Sequence, residues 1–235
     1  MFKSKYEWKV RKSDHDMPQE LIDKYRLNEL EQRILENRGY VTDEDLLQLY
    51  DTETYDAHAV YQIDRAVKRI EDALNSDERI LIYGDFDADG ITSTVILYTA
   101  LKKAGQNVDY LIPNRIDHGY GPNIGLFEEQ VVGHYDLVIT VDNGVAAVDE
   151  IEYLRQRDID VIIVDHHEFG ETLPDAIIIH AAHAEGDYPF KYLAGVGITY
   201  KLISALGLDD EEMLGLVAIG TVADLVSIVD ENKRI

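Results

Sequence analysis

From residue 79 onward the sequence repeats one pattern, a short apolar run that stops abruptly at acidic or imidazole side chains. RILIYG (79–84) leads into Asp85, Asp87 and Asp89, and VDYLIP (108–113) leads into Asn114, Arg115, Asp117 and His118. DLVITV ends in Asp142-Asn143-Gly144, DVIIV ends in Asp165-His166-His167-Glu168, and AIIIH (176–180) is a fifth run. Stretches with helical spacing separate them, at about 91–104, 123–133 and 146–157. Strands alternating with helices imply βαβ crossovers and a parallel sheet. Runs that are apolar on successive residues imply strands covered on both faces. The expected fold is α/β, a mostly parallel five-stranded sheet flanked by helices.

Before this region no convincing strand occurs. Leu21, Ile22, Tyr25, Leu27, Leu30, Ile34 and Leu35 predict one amphipathic helix from Pro18 to about Asn37, with Gly39 as its stop. Thr42-Asp43-Glu44-Asp45 predicts an N-cap and acidic first turn for a short helix through Leu49. Val60, Ile63, Val67, Ile70 and Leu74 predict a helix from Ala57 to about Asn75, and further helices are expected at 194–206 and 209–223. The expected organisation is a basic arm and helical preface over 1–77 and an α/β domain over 78–235. In the arm, Lys3, Lys5, Lys9, Arg11 and Lys12 stand against Glu7. It reads as a solvated segment, with contact to nucleic acid as the sharper alternative.

Charge narrows the function. Twenty-two Lys and Arg against 46 Asp and Glu leave −24, which argues against gripping a phosphate backbone by bulk electrostatics. Nucleic acid handled here needs metal ions, a local basic patch, or basic domains elsewhere. The absence of cysteine excludes disulfides, thiolate zinc sites and cysteine nucleophiles. It also fits a reducing compartment, so a cytoplasmic location is expected. No apolar run approaches the roughly 20 residues of a membrane span, and no membrane partner is expected.

In open parallel sheets ligands bind beyond the carboxyl ends of the strands, so the acids and imidazoles that end these runs share one edge. Crowded carboxylates repel one another and stay ionised together only around cations. Carboxylate and imidazole donors without thiolate suit Mn²⁺ or Mg²⁺ and admit Zn²⁺ or Co²⁺. More than four such ligands point to two ions. Helix capping is the alternative for any single strand-end Asp, but it does not account for the whole set with its adjacent histidines. DFDADG (85–90) opens like a calcium loop, yet loop position 12 is Ile96 and a strand precedes it. No Gly-x-x-x-x-Gly-Lys-Ser/Thr and no Gly-x-Ser-x-Gly occurs, which counts against a phosphate-cradling loop and a serine triad.

YGDFDADGITST (83–94), TVDNG (140–144), VDHHE (164–168) and GTVADLV (220–226) resemble, in order and spacing, the four motifs of the Asp-His-His (DHH) phosphoesterase family. The opening motif, IPNRIDHGYGP (112–122) and LAGVGITYKL (193–202) resemble its RecJ branch, single-strand-specific 5′→3′ exonucleases of bacterial recombination and repair. Members acting on small substrates open with His-x-x-x-Asp-x-Asp. Here Tyr83 stands in the place of that histidine, and Asp85 is its candidate substitute. The resemblance implies that Asp87, Asp89, Asp142, His166 and Asp224 are metal ligands, with Asp142 bridging two ions of Mn²⁺ or Mg²⁺. Asp85 matches the motif, with direct ligation left open. His167 matches the substrate-side histidine, a candidate for protonating the leaving oxygen, and Asp165 orients the pair.

Arg115 and His118 are candidate phosphate contacts, with a plain surface turn as the alternative. Gly195 and Gly197 are candidates for close backbone approach to the site or substrate phosphate, with packing as the alternative. Ser93 and Thr94 read as helix-opening residues. The chemistry implied is two-metal phosphodiester hydrolysis, releasing 5′-mononucleotides from a single-stranded 5′ end. Single-strand-binding protein or a helicase is an expected partner. The family's further substrate-binding domain (DHHA1 type) and OB-type module are expected to lie outside these 235 residues. The alternatives are a phosphodiesterase of short oligonucleotides or cyclic dinucleotides, and a non-catalytic scaffold.

Overall fold

Alternate residues of each apolar run enter different cores, as the two-residue repeat of a strand requires. The computed structural model describes residues 9, 11–50, 54–105 and 107–234. Of the basic arm expected to be solvated or to contact nucleic acid, Lys3, Lys5 and Glu7 lie outside the described residues. The chain forms two units, Met1–Glu53 and Thr54–Ile235.

In the first unit α1 is Gln19–Tyr25, α2 Glu29–Arg38 and α3 Asp43–Tyr50. The single helix expected over 18–37 is therefore two. Arg26 ends α1 with φ 53, and Asn28 caps α2 by accepting from the N–H groups of Leu30 and Glu31 while Glu31 accepts from Asn28 N–H. This reciprocal cap competes with helix continuation. It also frees Leu27 to join Met17 and Leu46 in a small core, which preserves the apolar spacing across the break. Gly39 ends α2 with φ 78, as expected.

The second unit begins with a 3-10 turn (Ala57–Ala59) and α4 (Ile63–Asn75). Then follow β1 (Ile80–Tyr83), α5 (Ala88–Lys103), β2 (Val108–Leu111), α6 (Arg115–His118) and α7 (Ile124–Leu126), which runs into a π turn over Phe127–Val131. β3 (Leu137–Val141), α8 (Val148–Arg155), β4 (Asp160–Val164) and β5 (Ile177–Ile179) complete the sheet. α9 (Gly195–Ala205), α10 (Glu211–Ala223) and α11 (Glu231–Arg234) close the unit. All strand pairs are parallel, in the order β2-β1-β3-β4-β5. Ile80, Ile82, Ile139, Val141, Ile162 and Val164 join one core, shared with residues of α4, α5 and α9. Leu81, Tyr83, Val138, Val161 and Ile163 join the other, shared with Phe127, Ile151 and Leu154.

Two expectations change. The preface expected to extend through residue 77 is divided, because Ile63, Ala66, Ile70 and Ala73 of α4 belong to the sheet's core. β2 is an edge strand with Asp109 and Tyr110 exposed, so only part of it is covered. The chain leaves β1 for β2 and returns to the other flank of β1 as β3. Strand order therefore reverses between β1 and β3, the place where parallel open sheets leave a crevice beyond their carboxyl ends. Among the described residues no helix is long and apolar enough to cross a membrane.

Candidate metal centre

The loop after β1 turns directly into α5. Asp85 is 2% exposed and accepts from Phe86 N–H at 2.7 Å, and Asp87 is the N-cap, accepting from Gly90 N–H at 3.0 Å. Capping does not exclude a second role for Asp87, since a carboxylate has oxygen lone pairs to spare. Asp89 lies in the first turn of α5 and is buried. Its two oxygens accept from Gly195 N–H and Val196 N–H, each at 2.7 Å, so it sits on the amino end of α9. Asp142 follows β3 with φ 61, a left-handed backbone costing about 1–3 kcal/mol for a residue with a side chain. Its N–H donates to Val164 O at 2.9 Å, which ties it to β4.

His166 brings these elements together. Its Nε2 lies 3.2 Å from Asp142 Oδ1, 3.8 Å from Asp89 Oδ2 and 3.7 Å from Asp224 Oδ2 at the end of α10. Three overlapping groups result: Asp85, Asp87 and Asp142; Asp89, His166 and Asp224; and Asp142, His166 and His167. Within each, the ligand atoms lie within 4.8 Å of one another. Asp142 belongs to two of the groups. It joins the Asp85–Asp87 side to the histidines, and His166, which also belongs to two groups, joins them to Asp89 and Asp224.

The electrostatics of this cluster call for cations. Burial first, then Asp89 and Asp87, push the Asp142 carboxyl up to about 10. Burial raises Asp89 to about 6 against the pull of its backbone donors and His166. Asp85 and Asp224 are also raised, chiefly by burial. Two buried atoms at the centre, Asp142 Oδ1 and His166 Nε2, have no hydrogen-bond partner although they lie 3.2 Å apart. Orphaned buried polar atoms are rare and costly, and a cation between a carboxylate and an imidazole satisfies both. The residues present therefore fit a pair of divalent ions held by oxygen and nitrogen donors.

Asp165 underlies the pair of histidines. It is buried and accepts from Val145 N–H at 2.9 Å, His166 N–H at 2.7 Å, His167 N–H at 3.1 Å and His167 Nδ1–H at 2.7 Å. Burial opposes its ionisation, but the His167 hydrogen bond and charge outweigh this and hold its carboxyl below the usual range. In return that bond raises His167 to about 9. The far side of the His167 ring, Nε2, lies 3.1 Å from the Tyr120 hydroxyl. A cavity of about 280 Å³ opens beside it, lined in part by Tyr120, Gly144, Glu150 and His167.

Three expected contacts are not among the ligand groups. The Arg115 guanidinium lies 5.1 Å from the Phe86 ring, and His118 Nδ1 accepts from Asn114 N–H at 3.1 Å. Gly197 is buried, and a Cβ there would meet the Leu193 side chain at 3.3 Å. Gly195 is the glycine of close approach. A Cβ there would lie 2.7 Å from Asp142 Oδ1. Gly220 acts similarly, since a Cβ would come within 2.4 Å of Thr92 Oγ1 and 3.1 Å of Asp89 Oδ1. Tyr120 and Gly220 lie in segments that the sequence marks out, but their composition alone assigns them no role.

Comparison with known proteins adds to this geometry. The DHH family, N-terminal domain, matches residues 79–221. The chain belongs to the DHH family. The single-stranded-DNA-specific exonuclease RecJ of Bacillus subtilis (strain 168) is 42% identical over 240 residues, covering 100% of this chain and 30% of that protein. A crystal structure of exonuclease RecJ bound to manganese superposes with TM-score 0.69 at 34% identity, covering 74% of this chain and 46% of the other. RecJ from Thermus thermophilus in complex with Mn²⁺ superposes with TM-score 0.75 at 28% identity, covering 95% and 33%. The chain thus spans between about a third and a half of the length of these relatives.

Proposed function

We propose that this chain carries the hydrolytic centre of a metal-dependent exonuclease that degrades single-stranded DNA from its 5′ end and releases 5′-mononucleotides. The observation that carries the reading is the convergence of Asp85, Asp87, Asp89, Asp142, His166 and Asp224 beyond β1, β3, β4 and α10, with Asp142 shared between two groups. The nature of the similar proteins supports the substrate class, because the B. subtilis relative is a single-stranded-DNA-specific exonuclease. Relatives crystallised with manganese or magnesium support Mn²⁺ or Mg²⁺ as the ions.

Asp87, Asp89, Asp142, His166 and Asp224 would hold the ions, with Asp142 between them and Asp85 beside Asp87 and Asp142. A divalent pair supplies Lewis acidity to phosphoryl oxygens and acidifies a nucleophilic water. The chain's own residues do the rest. Asp165 fixes a proton on His167 Nδ1 and favours the charged ring, so Nε2 also holds a proton that can pass to the leaving 3′-oxygen. Tyr120 orients that nitrogen from the substrate side. Arg115, stacked on Phe86 near Asp85, is the nearby cation for a substrate phosphate. The same reading places the chain in DNA repair and recombination in the cytoplasm, acting on strands presented by single-strand-binding protein or a helicase.

The test is mononucleotide release in Mn²⁺ from a 5′-phosphorylated single strand, a blunt duplex and a dinucleotide, with Asp142→Ala as control. Release from the single strand alone, abolished in the variant, is expected. Cleavage confined to the dinucleotide would move the substrate to short oligonucleotides.

A further inference from the structure

A histidine that the metal cluster does not use stands at the end of the edge strand. His180 follows Ile179 of β5, whose carbonyl accepts from Asp165 N–H at 3.2 Å and so ties the end of β5 to the start of the Asp-His-His segment. His180 is 3% exposed, and its ring lies 4.3 Å from that of Phe169. Its surroundings leave the ring one arrangement of hydrogens. Ala182 N–H donates to Nδ1 at 3.0 Å, so Nδ1 carries a lone pair. Nε2 lies 3.0 Å from the His167 carbonyl oxygen, which only accepts, so Nε2 carries the hydrogen.

We propose that His180 is a positioning residue for the reaction, donating from Nε2–H to the His167 carbonyl and fixing the peptide that leaves His167, directly after the two active-site imidazoles. The inference rests on the reading of His166 as metal-side and His167 as substrate-side. Asp165 holds this segment from one end, through the His166 and His167 amides. His180 holds it from the other. Residues 165–176 contain no helix or strand, so the carbonyl of His167 has no ladder to fix it and depends on a side chain. Packing against Phe169 needs only a ring of suitable size. A donor at Nε2 and an acceptor at Nδ1 need an imidazole or a group that copies one of them.

Three variants of the full chain separate these demands. His180→Phe keeps the ring and removes both polar atoms, and His180→Asn keeps an acceptor near Ala182 but has no donor at the Nε2 distance. His180→Gln carries a donor amide at that distance. Loss of groups that orient ligands typically lowers metal affinity or turnover by about 10- to 100-fold. The Phe and Asn variants should therefore bind Mn²⁺ at least about tenfold more weakly, by titration calorimetry, and lose kcat by a similar factor with KM little changed. The Gln variant should recover most of both. Nitrogen-15 NMR of the metal-free wild type should show His180 as the Nε2–H tautomer. Wild-type Mn²⁺ affinity in a folded Phe variant, a Gln variant as impaired as Phe, or an Nδ1–H tautomer would each overturn the inference. If the wild-type chain releases no nucleotide, the exonuclease reading fails, while Mn²⁺ affinity and the tautomer still decide the role of His180.

Discussion

Gly195→Ala adds one methyl group beside the metal centre and removes no donor atom. The new Cβ would lie 2.7 Å from Asp142 Oδ1, 2.9 Å from Asp142 Cβ and 3.0 Å from Cγ, whereas ordinary contact begins near 3.4 Å. The backbone of α9 has little room to retreat, because Gly195 N–H and Val196 N–H are bound to Asp89 and Val196, Ile198 and Leu202 are buried. Asp142 is held as well, by its N–H bond to Val164 O. The carboxylate is the softest part of this contact and must move by several tenths of an ångström. Overpacking of this kind costs about 1–3 kcal/mol, or roughly 2–12 °C in Tm for a chain of this size. Displacement of the shared carboxylate should weaken Mn²⁺ binding by about 10- to 100-fold. Gly197→Ala is the control, since its nearest neighbour is the Leu193 side chain at 3.3 Å, and alanine is the better helix former. The assay is Mn²⁺ titration calorimetry alongside thermal melts in chelator. A folded Gly195→Ala protein with wild-type Mn²⁺ affinity would refute the assignment of Asp142 as the ligand against which α9 is packed.

Asp165→Asn replaces the carboxylate that accepts His167 Nδ1–H, so His167, now near 9, should titrate closer to an ordinary imidazole, as histidine NMR on metal-free protein would show. Stability in chelator should fall as pH rises from 5 to 8. Asp89 and Asp142 have folded-state values above the ordinary 3.8, so the folded chain binds more protons than the unfolded one across this window. His167, raised above 6.5, adds the same sign toward alkaline pH, and the lowered Asp165 acts only below 3.8. Thermal melts at pH 5 and pH 8 check this, and a flat or rising stability would contradict it. Mn²⁺ should reverse the trend. Away from the centre, Glu231 is fully buried and accepts from Tyr188 Oη–H and Tyr55 N–H while pairing with Lys201. Glu231→Ala should cost about 3–5 kcal/mol in urea unfolding, because Lys201 is left buried without its counter-charge.

The strands were legible because burial on both sheet faces leaves a run of apolar residues that few other structures require. Each run ended within two residues of its strand, as RILIYG against Ile80–Tyr83 and VDYLIP against Val108–Leu111 illustrate. The site was legible for the same reason, since acids placed directly after such runs must gather at one sheet edge. Helix breaks were less visible. Leu27 keeps the apolar spacing of a continuous helix although it has left one, and only the cap formed by Asn28 and Glu31 signals the break. Glycines were the hardest to assign. Gly195 and Gly197 are two residues apart in one segment, yet one meets a carboxylate and the other a leucine, a difference set by helix rotation and invisible in composition. Tyr120 reaches His167 across 47 positions of sequence, a contact that local pattern does not encode.

Two ions sharing Asp142 is the claim on which the chemistry depends, and Mn²⁺ stoichiometry with electron paramagnetic resonance tests it most directly. Two Mn²⁺ per chain with a spin-coupled signal are expected, and Asp142→Asn should uncouple them and lower the stoichiometry. A single ion, or two uncoupled ions indifferent to Asp142, would contradict it.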